Sequence, residues 1–200
     1  ALGKNHPKTA TGYQHLADTL LAKGDKDESL IEHRKALAVR ANILSKDHPD
    51  TALSCARIGK LLSEKGDLVG ALVAYRQALA ITVGLCGEDH PDSATAHIQV
   101  GLVLAAQGDV EDAMEEVQQA LQVREGILGK DHPDTARALG VIGTLHSVLG
   151  EFTEAQERHK KSLSILERKL GKKNPDVKAA RQRLMMAVEK KEESIALDSF

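Results

Sequence analysis

The sequence predicts an all-α solenoid of antiparallel helix pairs, and three observations carry that prediction. The first is a phrase that returns every 42 residues: Ser45-Lys46-Asp47-His48-Pro49-Asp50, Gly87-Glu88-Asp89-His90-Pro91-Asp92 and Gly129-Lys130-Asp131-His132-Pro133-Asp134. Looser copies stand in the same register at Gly3-Lys4-Asn5-His6-Pro7-Lys8 and Gly171-Lys172-Lys173-Asn174-Pro175-Asp176. The second is that the text between the phrases repeats as well, with a glycine near each middle at Gly24, Gly66, Gly108 and Gly150. The third is a 3,4 spacing of apolar residues on both sides of that glycine, which is a helical period. Self-similarity at such an interval marks an array whose members cannot bury their apolar faces alone.

Cutting at the prolines divides the single array, 1–200, into repeats 7–48, 49–90, 91–132 and 133–174. Residues 1–6 match the end of a preceding repeat, so the chain is expected to be part of a longer polypeptide. Residues 175–200 form a partial repeat.

In repeat one a helix is expected from Pro7 to about Lys23, because proline suits the first helical position and Tyr13, Leu16, Ala17 and Leu20 make one apolar stripe. Gly24 ends it, and a second helix follows over about Asp27 to Leu44. Repeat two gives helices over about Pro49–Lys65 and Leu68–Leu85, and repeats three and four follow the same scheme. The last segment, Pro175 to about Ala196, is a charged first helix without a mate. Its Val177, Ala180, Leu184, Ala187 and Val188 are expected to cover repeat four as a cap.

Seven positions before each turn glycine stands a small residue: Ala17, Gly59, Gly101 or Gly143. A glycine inside a helix costs about 1 kcal/mol against alanine, so close helix contact must return that energy. Ala71, Ala113 and Ala155 are expected to do the same job from the second helices.

With two Phe, two Tyr and no Trp, the core must be built from aliphatic side chains at close spacing. A net charge of -2 gives no global pull toward nucleic acid or membrane. The basic run Arg158, Lys160, Lys161, Arg168, Lys169, Lys172 and Lys173 is interrupted by Glu167 and lacks a stacking platform, so no nucleic-acid partner is expected. No apolar run of membrane-spanning character is read, and the start lacks a signal-peptide pattern. Cys55 and Cys86 make neither a disulfide framework nor a zinc motif. A reduced, cytoplasmic setting follows, with no metal and no cofactor.

The repeated histidines, His6, His48, His90 and His132, lie one helix pair apart, too far to share an ion, and are read as loop residues that cap or pack each junction. No nucleophile, base and orienting group occur at motif spacing, and no phosphate-binding glycine loop is present, so no catalytic residues are assigned.

The small residue, turn glycine, alanine and alanine pattern resembles the tetratricopeptide repeat. The longer spelling from Ala120-Leu121-Gln122-Val123-Arg124-Glu125 through Asp131-His132-Pro133-Asp134 is similar to the repeats of the kinesin light chain and its relatives. That resemblance implies a right-handed superhelical solenoid whose first helices line a concave face. It implies peptide-binding positions at Gln14, Asp18 and Leu21, at Ala56, Lys60, Ser63 and Glu64, at Ile98, Leu102 and Ala105, and at Thr144 and Ser147. The function it implies is a non-enzymatic scaffold that binds a protein or peptide partner in the groove. A spacer that positions other domains of a longer chain is the alternative reading.

Overall fold

In a computed structural model, residues 6–44 and 47–197 are described, with side chains to residue 194. They form α1 (Pro7–Lys23), α2 (Lys26–Ile43), α3 (Pro49–Glu64), α4 (Leu68–Cys86), α5 (Pro91–Gln107), α6 (Val110–Leu128), α7 (Pro133–Val148), α8 (Phe152–Leu170) and α9 (Pro175–Leu197). No strand occurs among the described residues. The fold is an all-α solenoid of paired antiparallel helices. The expected helix end before His6 and the loop residues Ser45 and Lys46 lie outside the described residues.

The recurring phrase is a lock at the start of each first helix. Nδ1 of His6, His48, His90 and His132 accepts the backbone N–H two residues on, at 3.1 Å each time. Asn174 does the same through Oδ1 at 2.9 Å. Each side chain thereby satisfies one of the amides that a helix start leaves unpaired, and the following proline removes another. The hydroxyls of Ser93 and Thr135 close the loop by donating to the carbonyls of Gly87 and Gly129, at 2.7 and 2.9 Å.

The turn glycines end the first helices in the left-handed conformation. Gly24 has φ 93° and Gly66 φ 84°. Beyond them, Asp25 N–H and Asp67 N–H reach back to the carbonyls of Leu20 and Leu62, both at 3.0 Å. A side chain at either glycine would strain the turn that reverses the chain.

The chain forms two compact units, residues 1–107 and 108–200. In the first, α1 pairs with α2 and α3 with α4, while α2 packs on α3 and α4 on α5. Ala17, Ala36, Cys55, Ile58, Leu61, Leu62, Ala71 and Ala78 are buried. In the second, α7 pairs with α8, α6 packs on α7, and α9 lies against α8. Ala136, Leu139, Ile165, Leu166, Val177 and Ala180 form its core. Of the apolar residues of α9, Val177, Ala180 and Ala187 are buried and Leu184 and Val188 half-buried.

The small first-helix residues do allow close approach, and the group that fills the space over Gly59 and Gly143 is a ring of the second helix. A Cβ built on Gly59 would lie 2.9 Å from Cγ of Tyr75, and one on Gly143 would lie 2.9 Å from Cε1 and Nδ1 of His159. Tyr75 and His159 occupy one register position, and the glycine receives a ring there. The alanines at 71 and 155 are fully buried beside it. Where serine replaces alanine, its hydroxyl is satisfied across the pair: Ser29 donates to the Ala17 carbonyl at 2.8 Å and Ser162 to the Ala136 carbonyl at 2.6 Å.

One sequence expectation changes. By length and composition α4 is apolar enough to cross a membrane, with a mean hydropathy of 1.6. In the structure it packs against α3 and α5, burying Ala71, Ala74, Tyr75, Ala78 and Ile81. Val69 and Val73 stay outside, 70% and 65% exposed.

Candidate functional site

Within residues 1–107 the first helices α1, α3 and α5 present the expected residues, but with unequal freedom. Gln14 is committed: Arg40 donates to its Oε1 at 2.5 Å and to the Ser54 hydroxyl at 2.6 Å. Arg40 is buried, and burial lowers its pKa while Asp50 opposes that shift. A buried guanidinium requires such partners. Its role is to tie α1 to α3 through Gln14 and Ser54.

Asp18 is held by Arg57, whose Nη1 donates to both carboxylate oxygens at 2.8 and 3.0 Å. Asp18 also stands 3.8 Å from Nε2 of buried His33. Desolvation lowers the pKa of that imidazole more than Asp18 raises it, and Arg57 and Arg40 reinforce the lowering. Glu64 pairs with Lys26 at 3.3 Å and with Lys60 at 4.0 Å. These groups surround a cavity of about 230 Å³ lined by Asp18, Leu21, His33, Arg57, Lys60, Leu61 and Glu64. The structure thus brings Asp18, Lys60 and Glu64 together, and Lys60 has the free reach, its side chain 72% exposed.

A second cavity of about 340 Å³ opens between α3 and α5, walled by Ala52, Leu53, Ala56, Thr95, Ala96 and Gln99 and floored by residues of α4. Ala56 therefore lines an apolar recess. Leu53 and Leu85, 47% and 45% exposed, border it as well. On α5, Ile98 and Ala105 are half-buried and Leu102 is 48% exposed. Ser63 is half-buried on α3.

In residues 108–200, Thr144 and Ser147 donate their hydroxyl protons to carbonyls of their own helix, Gly140 and Gly143, both at 3.1 Å. Their oxygens remain acceptors. They line a small recess of about 110 Å³ with Val148, His159, Arg183, Met186, Ala187 and Lys190. Burial lowers the pKa of His159 to about 4, with Arg183 adding to the effect. The ring is neutral at neutral pH.

Sequence reading misses Leu53, Arg57 and Arg183. Leu53 and Arg57 share the helix face of Ala56 and Lys60, so the register contains their signal. Arg183 stays hidden because periodicity treats α9 as a cover for α8 and not as the wall of a recess.

The structure also gathers Cys86, His90 and Asp92 within 4.8 Å of one another, counting one ligand atom from each. Their separation by four and two residues matches no zinc motif, so spacing alone does not reveal them. No catalytic arrangement is found among the described residues.

Helix pairs closed by a left-handed glycine, with small residues against the mate helix and polar groups along the first helices, define a helical repeat protein. The tetratricopeptide repeat model matches residues 14–82, 55–125 and 92–168. The chain belongs to the tetratricopeptide repeat family. No curated protein matches it.

Among solved structures, a Podosopora anserina protein of kinesin light chain type with nearly identical TPR-like repeats is similar at 20% identity and a TM-score of 0.77. The match covers 97% of this chain and 92% of that one. BtubC (BKLC) from P. vanneervenii is 22% identical, with 93% and 74% of the chains covered and a TM-score of 0.78. The apo form of RapI is 15% identical, with 94% and 66% covered and a TM-score of 0.78. At these identities the likeness concerns the fold.

Proposed function

We propose that this chain is a non-enzymatic protein-interaction scaffold of the longer-repeat, kinesin light chain kind, and that the first-helix face of α1, α3 and α5 takes a peptide segment of a partner. The observation that carries the reading is the recess between α1 and α3, where expected groove residues Asp18, Leu21, Lys60 and Glu64 meet around about 230 Å³. An aliphatic surface continues on α5 through half-exposed Leu102.

The charged groups divide the labour. Arg57 and Arg40 hold Asp18 and Gln14 in fixed positions, so these acceptors bind without first being ordered. Lys60 reaches out to a partner carboxylate or carbonyl. Ile98, Leu102 and Ala105 supply the apolar floor. Full burial of a leucine contributes about 1.5–3 kcal/mol, and Leu102 has only half of that left to give. A micromolar complex needs about -8.2 kcal/mol, so the segment must engage several first helices and not one pocket.

The test is a peptide selection on the full chain followed by affinity measurement on variants whose helical content is checked. Lys60→Glu combined with Leu102→Asp is expected to weaken binding at least tenfold, while Arg76→Glu with Gln77→Glu, on the exposed side of α4, leaves it unchanged. The reverse pattern would move the site to the second-helix side.

A further inference from the structure

We propose that Cys86, His90 and Asp92 form a binding site for a borderline divalent cation of the zinc or cobalt class, at the junction of α4 and α5. Their ligand atoms lie within 4.8 Å of one another. A sulfur, a nitrogen and an oxygen donor, with water completing a tetrahedron, suit such an ion. The three groups come from the last residue of α4, the loop and the first turn of α5, and all are at least partly exposed.

The internal repetition supplies the comparison that makes this junction different. Where it carries Cys86, the other repeats carry Leu44, Leu128 and Leu170. Where it carries Glu88, they carry Lys46, Lys130 and Lys172. One junction therefore exchanges an apolar side chain for a thiol and a cation for a carboxylate, leaving Cys86-Gly87-Glu88-Asp89-His90-Pro91-Asp92 with no basic residue but histidine. The next junction shows the contrast in space. His132 and Asp134 have the same 3.6 Å separation as His90 and Asp92, but Arg137 occupies the Asp134 carboxylate. Thr95 stands in the Arg137 position, and Asp92 pairs with no lysine or arginine among the described residues. The C-terminal end of α4 adds the partial negative charge of a helix terminus.

Binding is coupled to the helix cap. A neutral imidazole has one lone pair, and at His90 the Asp92 N–H uses it, at 3.1 Å. Coordination exchanges that hydrogen bond for a metal bond, and the thiol releases its proton to solvent as the thiolate binds. The cap at this one junction thus becomes dependent on the ion.

The experiment titrates cobalt(II) into the reduced, chelator-treated full chain and follows the thiolate-to-cobalt charge-transfer band, with zinc(II) calorimetry as a second readout. Wild type is expected to take one equivalent. Cys86→Leu, which restores the residue of the other repeats, should abolish the band. His90→Asn is the decisive variant, because Asn174 caps α9 through Oδ1 and asparagine keeps the cap while removing the imidazole. It should weaken zinc binding at least tenfold with helical content unchanged, and Asp92→Asn should weaken it as well. No band in wild type, or zinc affinity unaltered in His90→Asn, would overturn the site.

Discussion

The imidazole of His159 closes on the backbone of Gly143 so tightly that a Cβ there would stand 2.9 Å from two ring atoms. The ring needs the missing side chain, and the helix tolerates glycine because the ring fills its place. Gly143→Ala should therefore destabilise the protein by about 1–3 kcal/mol through overpacking. Gly126, in α6, has nothing within 4 Å of a built Cβ. Gly126→Ala should gain up to about 1 kcal/mol from helix propensity alone. Urea midpoints decide, and losses of equal size at the two glycines would refute the packing account.

The same ring sets a pH dependence. Burial holds the folded-state pKa of His159 at about 4, below the ordinary histidine value of 6.5. The unfolded chain takes up a proton first as pH falls, so stability present above about 6.5 is lost progressively down to about 4. At about 1.4 kcal/mol per pH unit the loss is at most about 3–4 kcal/mol. His159→Tyr, which copies the Tyr75 arrangement over Gly59, should flatten this part of the curve. Denaturant midpoints between pH 7 and 4.5 provide the check, and an unchanged slope in the variant would contradict the assignment.

The histidine of the repeated phrase acts through one hydrogen bond. His132→Ala should cost about 1 kcal/mol, as loss of an N-cap does. His132→Asn should restore most of that, because Asn174 makes the same bond at α9. Thermal or urea unfolding of the three proteins separates capping from loop packing, for which asparagine and alanine would be equally poor.

The two thiols should differ in reactivity. Cys55 is buried, and burial raises its pKa to about 11, while Cys86 is exposed. In the native, metal-free chain one thiol should react rapidly with an alkylating reagent near neutral pH, and peptide mapping should place the label on Cys86. Rapid labelling at Cys55 would show that the α3–α4 pair opens readily.

The helices are legible in the sequence because each of Pro7, Pro49, Pro91, Pro133 and Pro175 opens one, and each of the four turn glycines ends a first helix in the expected register. Periodicity reports which residues share a face, and of the five residues of α9 it picks as a cover, Val177, Ala180 and Ala187 are buried while Leu184 and Val188 are half-buried. It does not report ring orientation, so it does not reveal that the rings of Tyr75 and His159 lie over Gly59 and Gly143. Nor does it report polar pairs, whether within a repeat or between one repeat and the next. Arg40 with Gln14 and Ser54, and Arg57 with Asp18, join residues up to 39 positions apart that differ from repeat to repeat. The first-helix face is readable as a list of positions, and its division into fixed and reaching groups depends on these pairs.

The central claim, that the first helices carry the binding face, is tested most directly by photo-crosslinking. A photoreactive side chain replaces Leu102 on α5 in one protein and Gln77 on α4 in another, and each is irradiated with the peptide selected on the full chain. The account predicts a one-to-one adduct from position 102, with the peptide mapped by mass spectrometry and unlabelled peptide competing, and none from position 77. A competed adduct from position 77 with none from position 102 would contradict it and place recognition on the second-helix side.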